Sequence, residues 1–429
     1  MRAGELLPVV LACGYFFCVL ACNYVLRPVR DAMGIGRGTE GLTWLMTCTF
    51  LATLCVNPLF SLLVARYSRR KFIPITYHVF AATLGLFYLL MLRFPARSAW
   101  LQSAFFIWFS GMFNLFAVSV FWGFMADLFS NEQGKRLFPL IGVGGTLGAI
   151  FGSQLTSVLV KQLGTPAMLI VAGALLELSI GCVLLLARRA AHESRPAAPA
   201  VVRAERFEHT TVWAGLRLIL ERPYLRLLCL YMLLQTTCNT FMYYQQQGIL
   251  SAHTTDQQEQ AHILANINTA VNTLALLMQL FLSGRLIATI GIPATLLLLP
   301  SVGALGFYGL GVHSTLGMLV AMQVAARACE YATARPARET LYTVVSRAER
   351  YQSKSFIDTF VYRGGDSLSG WANQGLISLG LTLQEMALCS VPLAIGWAAT
   401  AFSLGRRQEA LAARAAPVPA PEQASGGGI

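Results

Sequence analysis

Runs of about twenty apolar residues, enough to cross roughly 30 Å of hydrocarbon, recur along this chain with short polar breaks between them. Six lie near 8–26, 42–64, 74–92, 99–126, 140–160 and 166–187, and after a polar interval six more lie near 224–248, 261–282, 290–312, 314–334, 356–383 and 386–404. The pattern predicts an all-α membrane protein with twelve transmembrane helices in two six-helix halves, 1–187 and 223–404. The interval 188–222 reads as a linker rich in Pro, Ala and charge. It ends in a short surface helix on which Val212, Trp213, Leu216 and Leu220 share a face. The segment 405–429 has the composition of a disordered tail. The first run is too long for a signal-peptide core and is followed by LRPVRD, with no small-residue cleavage site, so it reads as a retained helix.

Composition points the same way. Of the 429 residues 55% are hydrophobic and 12% charged, against about a quarter charged in soluble domains. The net charge of +12 is split among short loops and forms no continuous basic stripe, which excludes nucleic acid as a partner. The ten cysteines fall mostly within apolar runs and read as small buried thiols. No nucleophile with an adjacent base and no metal-ligand cluster stands out, so neither an enzyme nor a cofactor is predicted.

Lys and Arg collect in alternate breaks. Arg66, Arg69, Arg70 and Lys71 follow the second run, and Arg335, Arg338, Arg347, Arg350 and Lys354 the tenth; the opposite breaks hold Arg27, Arg30, Arg37, Arg93, Arg97 and Lys161. This bias places both termini in the cytoplasm of a multi-pass protein, expected in a bacterial inner membrane and functional as a monomer.

The stretch 327–370 departs from the lipid-soluble pattern. Asp358, Arg363 and Asp366 in one apolar run would together oppose insertion by roughly 8 to 10 kcal/mol, at about 2.5 to 3.5 kcal/mol each. That helix must therefore face a protein interior or a watery cavity. Arg327, Tyr331 and Arg335 share a face four residues apart, with Glu330 beside them. Asp358, Tyr362 and Asp366 also align, and Gly364 and Gly365 permit unwinding beside them. Ion pairs of Arg327 with Glu330 and Arg363 with Asp366 are the packing alternative. Both roles are compatible, because gates in alternating access exchange ion-pair partners.

Other candidates lie outside that stretch. Arg27 and Arg30 fall on one face at the end of the first run, with Asp31 next to them and Pro28 expected to disrupt the helix. Two guanidiniums suit a phosphate or carboxylate; snorkelling to headgroups is the alternative. Asp127 ends the fourth run, as a path residue or a solvated terminal group. Gln235, Asn239 and Tyr243 in the seventh run, with the amides Gln245, Gln246, Gln247, Asn266, Asn268, Asn272 and Gln279, read as the lining of a wet cavity or as helix-binding amides. Gly144, Gly148 and Gly152 leave one face of the fifth run bare, for packing or for sliding. Glu177 interrupts the sixth as a proton carrier or a hydrogen-bonded neutral acid.

Two six-span halves joined by a basic loop resemble the major facilitator layout, in which solute sits near the midplane between rocking halves. Three patches resemble, more narrowly, the nucleotide (ATP/ADP) translocases of plastids and intracellular bacteria. YVLRPVRD is similar to that family's LR-x-x-KD, with Arg27, Arg30 and Asp31 at its arginine, lysine and aspartate. SVFWGFMADLFSNEQGKRLFPLIG, 119–142, follows an FW-x-F-A-N pattern, with Asp127 at an acidic position. ARPARETLY through SKSFIDTFVYRGGDSLSG resembles the TKE and ID-x-x-x-x-R-x-GKSGG region, placing Arg338 on a lysine, Asp358 on the aspartate and Arg363 on the arginine. The resemblance implies a secondary transporter for a small anionic solute: a nucleotide, another phosphorylated metabolite or a smaller organic anion. Together with the residue patterns above, the expectation is binding by Arg27, Arg30, Arg327, Arg363, Gln235 and Asn239, with gating or proton coupling by Asp31, Asp127, Glu330, Arg338, Asp358 and Asp366. Asp366 stands where the family's exchangers carry a lysine, which disfavours a tri- or tetra-anion by electrostatics alone. A non-transporting sensor or assembly factor on the same scaffold is the other reading.

Overall fold

A computed structural model describes residues 5–66, 69–192, 212–281 and 283–415. In chain order the α-helices are α1 Leu6–Ile35, α2 Gly38–Arg66, α3 Arg69–Arg93, α4 Ser98–Trp108, α5 Asn114–Leu128, α6 Asn131–Leu163, α7 Ala167–His192 and α8 Val212–Glu221. They continue as α9 Pro223–His253, α10 Gln257–Phe281, α11 Ser283–Val312, α12 Leu316–Cys329, α13 Arg335–Leu341, α14 Arg347–Phe356, α15 Tyr362–Ser378 and α16 Leu383–Ala415. Single turns of π-helix join α4 to α5 (Phe109–Phe113), α12 to α13 (Glu330–Ala334) and α14 to α15 (Ile357–Val361).

Nine helical stretches among the described residues are long and apolar enough to cross a membrane. The predicted spans near 224–248, 314–334 and 356–383 fall instead on α9, α12–α13 and α14–α15, which do not reach that apolarity. Each is diluted by amides or charges that a lipid-facing helix could not carry. These are helices whose polar faces need an interior.

Two apolar cores hold the bundle. One is built from α1 and α3–α7, around Tyr15, Phe105, Phe109, Phe113 and Phe121. The other is built from α8, α9 and α11–α16, around Tyr231, Phe307, Leu319 and Trp397. Leu250, Ala261 and Leu264 of α9 and α10 join the first core, so the halves are welded at one end. The bare face of α6 belongs within the first core. A Cβ on Gly144 would come within 2.8 Å of the Cys13 carbonyl oxygen of α1, and Cβ atoms on Gly148 and Gly152 would strike the carbonyls of Phe17 and Ala21. The small residues therefore seat α6 against the α1 backbone inside one half, the close approach that such spacing permits.

Several local expectations change. Pro28 does not end α1, which stays helical to Ile35; losing one bond to the Tyr24 carbonyl is absorbed by the packed neighbours. Arg27 and Arg30 consequently lie inside a helix and not at its outer end. Gly364 and Gly365 are helical within α15, and the irregular turn precedes them at Ile357–Val361. Helix α16 runs on to Ala415, past Leu404 where the tail is expected. The surface helix is present at Val212–Glu221, while 193–211 of the linker and 416–429 of the tail lie outside the described residues. Glu177 is half exposed on the outside of the bundle, 2.9 Å from His78.

Candidate functional site: an arginine-lined chamber between the two helix sets

Helices from both halves enclose a cavity of about 240 Å³. Arg27, Arg30 and Asp31 of α1 reach it from one side; Arg327 of α12, Glu330 and Tyr331 of the π turn, and Arg335 of α13 reach it from the other. Asn239, Thr240 and Tyr243 of α9, with Tyr362, Arg363 and Asp366 of α15, close the wall. Two of the π turns border this space, through Ser110 and through Glu330 and Tyr331, and the third leads directly into Tyr362 at the start of α15. A wider turn breaks the regular bond ladder and re-aims side chains, which is why such turns gather at functional sites.

The charges are held in distinct ways. Arg30 donates from Nη1 to Ser110 Oγ at 2.7 Å and pairs through Nη2 with Asp31 Oδ1 at 2.9 Å. Its guanidinium also lies over the Phe106 ring, 4.9 Å from the centroid. Arg335 pairs with Glu330 at 3.7 Å and stacks over Tyr331 at 4.3 Å. Asp366 Oδ1 accepts from Thr240 Oγ1 at 3.0 Å and feels the charge of Arg363. Arg327 is gripped by neutral groups: Nη1 donates to Asn268 Oδ1 at 3.2 Å and Nη2 to Gln246 Oε1 at 3.4 Å. Gln246 is itself fixed by Gln323 Nε2 at 2.5 Å. Arg27 lies over the Tyr24 ring at 5.6 Å and beside Tyr331 across the interface.

Eight of the candidate residues thus meet in one chamber: Arg27, Arg30, Asp31, Asn239, Arg327, Glu330, Arg363 and Asp366. Others do not. Gln235 is buried off the chamber among packed helices, because four-residue spacing along a 31-residue helix drifts around its face. Asp127 is exposed near the end of α5, and Arg338 turns from the cavity to Met232 Sδ at 4.0 Å. Asp358 falls in the third π turn, and its side chain lies outside the described residues. Among the described residues neither predicted pair, Arg327 with Glu330 or Arg363 with Asp366, is formed; Glu330 meets Arg335 and Asp366 accepts from Thr240. Ser110 and Thr240 escape sequence reading, since a lone hydroxyl in an apolar run carries no signal of its own. Arg335 was legible only as the third member of a spacing pattern.

Hydrogen bonds that join the halves gather toward the end of the bundle where α1 finishes. Tyr243 OH donates to Asp31 Oδ1 at 2.8 Å, linking α9 to α1. The hydroxyls of Thr43 and Tyr244 meet at 2.5 Å and those of Thr47 and Ser367 at 2.9 Å. Trp371 Nε1 donates to Thr47, and its ring meets that of Trp44 edge-on. Lys161 pairs with Glu259 at 2.6 Å, and Ser157 Oγ donates to Asn266 Oδ1 at 2.6 Å. The chamber therefore lies under a latched end. Removing one bond to a charged acceptor costs about 1.5 to 3 kcal/mol, so Tyr243→Phe should favour opening there by roughly ten-fold or more. Faster thiol labelling of a cysteine placed at Met46, which lines the chamber, would report it; an unchanged rate would mean Tyr243 is no part of the latch.

The family model for the Major Facilitator Superfamily matches residues 10–326. The chain belongs to that superfamily. Among curated proteins it is 22% identical over 337 residues to ADP,ATP carrier protein 1 of Chlamydia trachomatis serovar D, a match spanning 70% of this chain and 63% of the carrier's length. Its fold is similar to a crystal structure of the nucleoside transporter NupG, with a TM-score of 0.63 and 14% identity over 92% of this chain and 98% of that one. A POT family transporter in complex with 5-aminolevulinic acid matches at 0.64 and 12% identity over 92% and 96% of the two chains. A bacterial homologue of the human lysosomal transporter Spinster, inward-facing and unoccupied, matches at 0.58 and 14% identity over 96% and 99%. This member of the superfamily carries, among its described residues, nine helical stretches long and apolar enough to cross a membrane, and the chamber lies where its two helix sets meet.

Proposed function

We propose that this transporter moves a small anionic organic solute across a bacterial inner membrane by alternating access, with both termini in the cytoplasm. One observation carries the reading: five guanidiniums and three carboxylates from both halves surround a single cavity. A solute bound there touches both sets of helices, so its binding energy can be felt as they rock. Charges inside a membrane protein mark the path of a substrate or ion far more often than they serve packing. The similarity to an ADP,ATP carrier supports an anion as cargo.

Arg30 and Arg363 belong to this wall, one from each half. Arg30→Ala or Arg363→Ala should abolish uptake of anions by proteoliposomes while the protein still inserts and elutes as a single species. Full uptake by both variants would remove these residues from the path. Anion-induced thermal stabilisation with no flux in vesicles would instead assign the chain to the sensor class.

A further inference from the structure

The chamber's charges do not cancel, and the surplus has a definite size and place. Five guanidiniums face three carboxylates, which leaves two positive charges over. Arg30 pairs with Asp31 and Arg335 with Glu330, while the third carboxylate, Asp366, takes the Thr240 hydroxyl. Among the described residues none of Arg27, Arg327 and Arg363 forms an ion pair, and of these only Arg363 has on its own helix a chamber carboxylate not already paired with another arginine. Arg327 is oriented by the amide oxygens of Asn268 and Gln246, and Arg27 by the Tyr24 ring and the Tyr331 hydroxyl. Amides and phenols can hold a guanidinium in place without neutralising it. The two arginines face the same cavity, one from each half. Such an arrangement in a low-dielectric site is costly when empty and is relieved by one bridging anion.

From this we propose that the cargo is a dianion, either a phosphomonoester or a dicarboxylate, bridged between Arg27 of one half and Arg327 of the other. The proposal rests on the transport reading above and narrows its substrate class. A trianion or tetra-anion would leave uncompensated negative charge beside Asp31, Glu330 and Asp366. A monoanion would leave one guanidinium unmatched. Size agrees: about 240 Å³ falls below the roughly 300 Å³ at which pockets for drug-sized ligands begin. Bidentate geometry suits both head groups, because two parallel N–H donors match either two phosphate oxygens or a carboxylate.

The test is a charge ladder on the purified full-length protein at fixed ionic strength and about pH 8, above the second phosphate pKa of about 6. The carboxylates are lactate, succinate, citrate and butanetetracarboxylate; the phosphates are glycerol phosphate, AMP, ADP and ATP. Wild-type protein should bind the dianions of at least one series (succinate, or glycerol phosphate and AMP) roughly ten-fold or more tighter than the members of that series with any other charge. Thermal stabilisation and proteoliposome uptake are read in parallel. The better series identifies the head group. Asp366→Asn adds one positive charge and should move the optimum to trianions; Asp366→Lys adds two and should move it to tetra-anions. A merely structural role for Asp366 would weaken all ligands together and leave the optimum where it was. Tightest wild-type binding by citrate, ADP or ATP overturns the dianion, and so does an optimum that stays fixed in both variants. If no anion of any charge binds or crosses, the transport reading itself fails.

Discussion

Uptake should fall by roughly thirty-fold or more when Arg327 is replaced by alanine, while the protein stays folded. Truncating one partner of a buried, hydrogen-bonded charge pair costs about 2 to 5 kcal/mol, which corresponds to roughly thirty-fold to several thousand-fold in affinity. Ordinarily such a loss would be hard to separate from damage to the fold. Here the two predictions diverge. In the empty chamber Arg327 is held by amide oxygens and forms no ion pair, so its removal breaks no carboxylate pair and takes one positive charge from a cavity that also holds Arg27. Gln246 Oε1 keeps its bond from Gln323, so only Asn268 Oδ1 loses a donor. The melting temperature of the ligand-free variant should accordingly match or exceed that of wild type. Arg327→Lys should fall between, because an ammonium keeps the charge but cannot hold two amide oxygens in one plane. Wild-type uptake by the alanine variant would show that the anion does not pass this residue. A collapsed melting temperature would mean the guanidinium is a structural tie.

The same region shows how much of the site could be read in advance. An ionised side chain inside an apolar run has to find company away from lipid, so Arg27, Arg327, Arg363 and Asp366 were conspicuous, and all four line the chamber. Their partners were not readable to the same degree. Spacing rules for a regular α-helix pair Arg327 with Glu330, three residues on. The π turn that begins at Glu330 widens the ladder to five residues, and Glu330 meets Arg335, five residues on. Nothing in the local sequence announces that turn. The amides divided in a way that spacing alone does not reveal: Asn239 lines the cavity, Gln246 and Asn268 steer Arg327, and Gln245 donates to the Leu383 carbonyl at 2.8 Å. Each lies on an otherwise apolar helix, and only the positions of neighbouring helices distinguish the three roles. Helix existence was plainer, because about twenty apolar residues have few alternatives. The polar α9 and α14–α15 were readable only as interruptions of that rule.

The position of Arg27 and Arg30 depends in turn on how α1 is seated, and this leads to the prediction with the largest effect on folding. Along α6, Gly144, Gly148 and Gly152 meet Cys13, Phe17 and Ala21 of α1 in step, with backbone against backbone. Thr156, four residues further on, donates to the Val25 carbonyl at 3.2 Å and continues the same seam. Gly148→Leu would place its Cβ on the Phe17 carbonyl, an atom that cannot swing aside as a side chain can. Overpacking against mobile side chains already costs about 1 to 3 kcal/mol; against a rigid helix backbone the two helices must separate. The expected result is loss of monodisperse protein on size-exclusion chromatography, with no transport to measure. Gly142→Ala, on the same helix but with nothing within 4 Å of its Cβ, should be tolerated and should gain about 0.5 to 1 kcal/mol from helix propensity. If Gly148→Leu instead folded and transported normally, α1 could not lie as close to α6 as the glycines allow. Arg27 and Arg30 would then lose the fixed depth at which they can face Arg327 across the cavity.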